Sequence, residues 1–221
     1  MTALESEIRP AAPQPAPAFA GEPERARVFE AYGFETLEGD PELSAIVMFA
    51  SRLCDAPIAL VSLLEQDRYR FLARVGTRQA ESPYSTAFCA HVMRRNRLLQ
   101  IPDARLDERF AENPLVTGEP HIRFYAGYPL VSEEGISLGA LCLVDTEPRP
   151  GGLTSLQREG LEVLAQATMR RLRSRRHSTA ARREHEERES YLHTLADSIP
   201  AIAWSATADG RFEYFNKRMV D

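Results

Sequence analysis

Two strand pairs, each folded back on itself by a short polar turn, bracket a long segment of mixed character. That spacing constrains this chain more than any other feature. The first pair is the apolar run Ile58–Leu64 followed by residues 68–75, with Glu65, Gln66 and Asp67 as a tight connection. In the second member Tyr69, Phe71, Ala73 and Val75 alternate with Arg68, Arg70, Leu72 and Arg74, which predicts one buried and one wet face. The second pair is residues 124–131 and 136–144, turned by Ser132-Glu133-Glu134-Gly135, where glycine supplies a positive φ. Ile136, Leu138, Ala140, Cys142 and Val144 are expected on one face. Between the pairs, residues 76–123 hold an expected helix at 85–95, a short strand at 98–101 and a loop-rich stretch. Connections this long inside a compact domain are usually functional loops or lids.

Helical patterns flank the pairs. Residues 25–32 predict a short helix ended by Gly33. Asp40-Pro41 is a strong start signal, an N-cap followed by proline in the first turn. Leu43, Ile46, Val47, Ala50, Leu53 and Cys54 then recur at helical spacing. Thr154 is expected to cap a long helix with a stripe of Leu156, Leu161, Leu164, Ala165, Thr168 and Leu172. From 173 to 190 the pattern is almost wholly charged but free of Gly and Pro, which predicts a solvated helix. Leu192, Leu195, Ala196 and Ile199 restart an apolar stripe that ends at Pro200. Residues 202–204 and 212–215 read as two strands joined around Asp209-Gly210, too little for a core of their own.

Composition removes several function classes. The 221 residues carry a net charge of −5, so no global positive field exists to hold a nucleic-acid backbone. No apolar run approaches the roughly 18–20 residues of a membrane span. Residues 1–20 alternate Ala and Pro with polar residues and lack the basic start and apolar core of a signal peptide. They read as a disordered leader. Three cysteines without close pairing suggest neither a disulfide framework nor a zinc site. Cys54 and Cys142 read as core thiols of a cytoplasmic protein. No nucleophile–base pair, phosphate loop or metal-ligand spacing stands out.

The string ELSAIVMFASRLCDAPIALVSLLEQDRYRFLARVG resembles the opening of GAF domains of bacterial signalling proteins. The segment from STAFCAHVMRRN to GALCLVDTEPR resembles their middle and end, and YLHTLADSIPAIAWSATADGRFEYFNKRMVD is similar to the first third of a PAS domain. The resemblance implies an α+β fold, a central antiparallel sheet of about five to six strands flanked by helices, with a long C-terminal helix and a partial PAS-like segment. The implied organisation is a leader at 1–22, a GAF-like sensor at 23–173, a charged helical linker at 174–190 and a truncated PAS start at 191–221. GAF, helix and PAS in that order imply the sensory region of a sensor histidine kinase, or of a diguanylate cyclase or phosphodiesterase. The implied partners are a small-molecule ligand, a second copy through the C-terminal helix, and a downstream kinase or other output domain. No nucleic acid, membrane or particular cofactor is implied. A free-standing methionine-sulfoxide-reductase-type enzyme and a ligand-free association scaffold are the alternatives.

Within the lid, Phe88, Cys89, His91, Asp103, Phe110, His121, Arg123 and Tyr125 are the candidate ligand contacts. Each has a plainer structural reading. Cys89 and His91 point roughly 200° apart on a helix and cannot share one metal easily. Ala90 separates them, where bilin-binding relatives place His directly after the attaching Cys. Asp103, Arg105, Asp107 and Arg109 read as local ion pairs tying a loop. Arg123 offers a bidentate hold on an anion or a structural pair with Asp103 or Glu119. The aromatics wall a pocket or fill the core. His177, His185 and His193 read as residues of a solvated helix face. Leu161, Leu164, Leu192 and Ile199 fall on one heptad seam, interrupted by Arg171, Arg175, Arg182 and His185.

Overall fold

Asp40 shows how directly sequence becomes structure in this chain. In the computed structural model, which describes residues 22–65, 68–86, 88–198, 200–201 and 204–217, its carboxylate accepts from the amides of Glu42 and Leu43 at 3.0 and 3.1 Å. That cap starts helix α2 (Pro41–Cys54). The helix ends where Asp55 takes a left-handed conformation, φ 49°. Before it, α1 (Glu22–Tyr32) stops at Gly33, φ 60°. Helix α1 thus begins at Glu22, inside the expected leader, and the rest of that leader lies outside the described residues.

The chain divides at Ser174 into two units. The first is built on a six-stranded antiparallel sheet of β1 (Ile58–Leu64), β2 (Arg68–Val75), β3 (Glu81–Pro83), β4 (Leu99–Ile101), β5 (Phe124–Val131) and β6 (Ser137–Asp145). The order is β3-β2-β1-β6-β5-β4, so β1 and β6 lie at the centre. Between β3 and β5 come α3 (Cys89–Arg95) and α4 (Pro114–Thr117). Helix α5 (Ser155–Ser198) follows β6. This is the layered α+β architecture expected from the strand pairs and their flanking helices.

Strand alternation sorts the core into two layers. On one face Ala59, Val61 and Leu63 of β1 and Leu141 and Leu143 of β6 pack with Leu43, Val47 and Ala50 of α2 and Leu161, Ala165 and Leu172 of α5. On the other face Leu60 and Leu64 of β1 and Ala140, Cys142 and Val144 of β6 pack with α3 and the 99–125 segment. The interior is therefore a helix layer, a sheet and a lid layer.

Two expected faces are corrected by bulges. Val61 pairs Ala73 and Ser62 pairs Phe71, which leaves Leu72 as the extra residue. The parity of β2 flips there, so Tyr69 and Phe71 enter the lid layer while Ala73 and Val75 join the helix layer. A second irregularity lies where Leu130 pairs Gly139 and Val131 pairs Ser137. Leu138 and Ile136 consequently pack with the helix layer, opposite Ala140, Cys142 and Val144. Beside the bulge, a Cβ on Gly139 would stand 1.9 Å from the Ser62 carbonyl oxygen. Glycine is what permits β6 to approach β1 there. The short β3 was not anticipated: Glu-Ser-Pro has no apolar alternation to reveal it. Gln66 and Asp67 of the expected first turn lie outside the described residues.

A capping box starts α5, with Thr154 Oγ1 accepting from the Gln157 amide at 3.3 Å and Gln157 Oε1 accepting from the Thr154 amide at 3.0 Å. Its buried stripe begins at Leu161 rather than Leu156, which is 69% exposed. Leu161 itself is fully buried in its own domain, so that position of the expected seam is not available to a partner helix.

The second unit holds the remainder of α5 and a hairpin of β7 (Trp204–Ala206) and β8 (Phe212–Phe215), turned at Gly210, φ 85°. Asn216 is buried and donates to the carbonyls of Ala196 and Ala201. Trp204, Phe212 and Phe215 remain exposed, so this unit closes no core among its described residues. Ile199, Ile202 and Ala203, which enter the expected stripe and strand, lie outside the described residues.

Candidate functional site

A cavity of about 80 Å³ lies between the sheet and the lid layer. Leu60, Phe71, Cys142, Val144 and Tyr125 of the sheet form its floor, and Phe88, Cys89, Leu115 and Ile122 its roof. Its rim includes the exposed Gln79 and the half-buried Thr77, Ser82 and Pro120. Among the described residues no charged side chain lines it.

Four sulfur and oxygen groups meet beside this cavity, where floor and roof come together. Cys89 opens α3 and Cys142 stands in β6, and their Sγ atoms are 3.2 Å apart. Ser62 Oγ donates to Cys89 Sγ at 3.2 Å, with the Ala140 carbonyl an alternative acceptor at 3.2 Å. The Tyr125 hydroxyl lies 3.1 Å from Cys142 Sγ and donates toward Cys89 Sγ at 3.5 Å. The bulges and glycines of the sheet make this meeting possible. A Cβ on Gly127 would stand 2.5 Å from the Tyr125 hydroxyl, so a bare backbone lets that side chain reach along β5 to the thiols.

The electrostatics split the pair. Hydrogen bonds from Cys142, and then from Ser62 and Tyr125, hold the Cys89 thiol below the ordinary thiol range against the opposing effect of burial. Burial pushes Cys142 up, and its bond to Cys89 adds to the rise. Tyr125 is raised as well, chiefly by burial, so it stays a protonated donor at neutral pH. Cys54, buried apart from this group, is raised to about 11 by desolvation.

Of the eight lid residues singled out from sequence, Phe88, Cys89 and Tyr125 line the cavity. Phe110 stacks behind Phe88 at 4.3 Å between ring centroids. His91 packs edge-on against Phe110 at 4.8 Å, and its pKa is lowered by burial and then by Arg109 and Arg94. The remaining three stand away from the cavity lining. Asp103 caps its own turn and pairs Arg105 at 2.7 Å. His121 is exposed, with Glu119 at 3.9 Å. Arg123 donates to the carbonyls of Val116 and Ile122 and so braces the lid backbone, while its charge also acts on Asp103 without a direct bond. Sequence reasoning missed Ser62 and the partnership of Cys142. The available signal was parity: Cys142 lies on one face with Ala140 and Val144.

The GAF domain family model matches residues 40–172. A cyclic di-GMP phosphodiesterase of Pseudomonas aeruginosa is 40% identical over 137 residues, 62% of this chain and 23% of that protein. This chain thus spans under a quarter of that relative's length. Among solved structures, the GAF domain of an Acinetobacter phosphoenolpyruvate-protein phosphotransferase is similar at a TM-score of 0.51 and 14% identity, over 74% of this chain and 99% of that one. Free methionine-R-sulfoxide reductase of Neisseria meningitidis, in complex with its substrate, is similar at 0.51 and 14%, over 73% and 96%. A bacteriophytochrome of R. palustris is similar at 0.55 and 13%, over 83% and 44%. At these identities the structural likeness is one of fold.

Proposed function

Because this chain belongs to the GAF domain family over residues 40–172, we propose that it is the sensory part of a signalling protein and reads a small neutral ligand in the cavity under its lid. The observation that carries this reading is the cavity's chemistry. It has no charged lining residue among those described, so it offers nothing to pair a phosphate or a zwitterionic amino acid. Its volume of about 80 Å³ is well under the roughly 300–1,000 Å³ of ordinary cofactor sites. It suits a molecule of a few heavy atoms, where a cavity of about 150 Å³ takes benzene. Bilins, cyclic nucleotides and free methionine sulfoxide are poor matches to such a site.

The output favoured by the Pseudomonas aeruginosa relative is cyclic di-GMP turnover, ahead of the histidine kinase that domain order suggests. Residues 191–221 are read as the start of a PAS domain, on the strength of the Asp209-Gly210 turn and the buried Asn216. Helix α5 is the proposed relay. In a parallel dimer its contacts would come from Leu192 and Leu195, both exposed, since Leu161 is committed to its own domain. Among the described residues no helix is long and apolar enough to cross a membrane.

The test is to fill the cavity within the full-length protein. Val144→Phe from the floor and Ile122→Phe from the roof are each expected to change cyclic di-GMP hydrolysis by about fivefold or more, the usual scale of coupling between sites. Both variants should retain cooperative unfolding. Folded variants with unchanged turnover would sink the sensory reading. ATP-dependent autophosphorylation without cyclic di-GMP hydrolysis would replace the phosphodiesterase output with the kinase.

A further inference from the structure

The cavity ends on two thiols, and the regulatory reading above does not use them. We infer that Cys89 and Cys142 form a hydroperoxide-oxidisable dithiol, a modification site in which hydrogen peroxide enters the cavity and closes a disulfide across the sheet–lid contact.

The Sγ atoms stand 3.2 Å apart, about 1.2 Å beyond a disulfide bond length of about 2.05 Å. Closure therefore needs only a small side-chain adjustment. Cys54 is buried apart from them and has no thiol partner of this kind. The cavity supplies the reagent's route. The exposed Gln79 and the buried Cys89 and Cys142 line the same cavity. Its volume of about 80 Å³ exceeds the ~30 Å³ share of one water molecule, so a peroxide fits where a bulky disulfide reagent does not. The apolar walls are no obstacle to a small uncharged oxidant.

The two thiols also have distinct roles. Cys89 Sγ accepts hydrogen bonds from the Ser62 and Tyr125 hydroxyls, which favours its thiolate as the attacking group. Cys142 keeps its proton and waits beside it as the resolving thiol. In the first step the Cys89 sulfur attacks one peroxide oxygen and the O–O bond breaks. The departing hydroxide takes the proton released by Cys89 and leaves as water, and Cys89 becomes a sulfenic acid. In the second step the Cys142 sulfur displaces that hydroxyl. The S–S bond forms, the Cys142 proton leaves with the hydroxyl as a second water, and the site is dry of further chemistry until a thiol reductant restores it. One peroxide is reduced to two waters while two thiols are oxidised.

A disulfide here would tie α3, the first helix of the lid, to the central strand β6. The lid would then be held at its inner end, and small-ligand entry and thiol oxidation would compete for the same space. This deepens the proposed sensory use of the cavity but rests on it only for its consequence.

The decisive experiment treats the reduced chain with a few equivalents of hydrogen peroxide, alkylates the remaining thiols after denaturation, and maps the products by mass spectrometry. The expected result is a Cys89–Cys142 linked peptide, a mass lower by about 2 Da for the two hydrogens removed, reversal by dithiothreitol, and Cys54 still alkylated. Cys142→Ser is expected to leave a Cys89 sulfenic acid that dimedone captures. Cys89→Ser is expected to leave Cys142 unreactive. The inference is overturned if all three thiols survive, if Cys54 oxidises ahead of the pair, or if the link forms only in the urea-unfolded chain. The wild-type map decides this even where a serine variant fails to fold. An unoxidised pair alongside a turnover change in Val144→Phe would reject the dithiol and keep the ligand reading.

Discussion

Arg149→Ala is expected to destabilise the first unit by about 3 kcal/mol, a loss typical of stranding one partner of a half-buried, hydrogen-bonded ion pair. The side chain joins three parts of the fold. Its guanidinium pairs Asp145 at the end of β6 at 2.6 Å and donates to the Cys54 carbonyl at the end of α2 at 2.5 Å. It also donates to the Asp55 carbonyl and lies over the Phe124 ring, 4.8 Å from its centroid. Both charged side chains are mostly covered, at 19% and 11% exposure. Alanine leaves the Asp145 carboxylate and the helix-end carbonyls without this donor and removes the cation from the ring. Arg149→Lys should recover less than half of the loss, because an ammonium is a point charge and cannot span these acceptors as a planar fork does. Urea unfolding checks this through a lower midpoint at unchanged slope. Arg105→Ala is the comparison, since its pair with Asp103 is local and more exposed. Its loss should be small beside that at Arg149, as for exposed ion pairs generally. Equal losses at the two arginines would show that Arg149 is not the tie described.

Much of the fold was legible because its punctuation is local. Asp40-Pro41, Gly33, Thr154 and the Gly135 turn each act on backbone within a few residues of themselves, so residue type alone places them. The two strand pairs and the flanking helices declare themselves by period. The bulges do not. Nothing in residues 68–75 marks Leu72 as the extra residue, because both Leu72 and its neighbours are apolar and end up buried. The face assignment of β2 therefore failed halfway along, at a point set by pairing with β1. The site was legible in its region and less so in its membership. Phe88, Cys89 and Tyr125 were identifiable as lid and strand-entry residues. Cys142 was read as core filler, and it is buried as such filler would be. Its chemical meaning comes from a thiol 53 positions away. Only tertiary packing, α3 laid over β6, brings the two together. The charged candidates have local partners instead: Asp103 bonds Arg105 two residues away and Arg123 donates to a nearby carbonyl.

Asp40→Ala is expected to cost about 2 kcal/mol, and the loss has two separable parts. One is the cap: the carboxylate satisfies two amides at the start of α2, and alanine satisfies none. The other is the tie to α5, where the Arg171 guanidinium meets Asp40 at 2.6 Å. Asp40→Asn keeps an equally good cap but gives up the charge, so it should retain more than half of the stability lost by alanine. pH separates them further. Burial pushes the Asp40 carboxyl up, but the bonds from Arg171 and from the Leu43 and Glu42 amides outweigh it and leave it below the ordinary value of 3.8. A carboxyl lowered in this way contributes its stability fully above the unfolded value and loses it as pH falls through the folded one. The wild-type advantage over Asp40→Asn should therefore be constant at neutral pH and shrink below about pH 4. It should also weaken with salt, because Arg171 is partly exposed and shares its charge with Glu42 at 3.3 Å. Denaturant titrations of both variants from neutral to acid pH measure this directly. An advantage that persists unchanged through the acid limb would assign the whole effect to the cap and remove the Asp40 charge from the joint between α2 and the helix proposed to carry the signal.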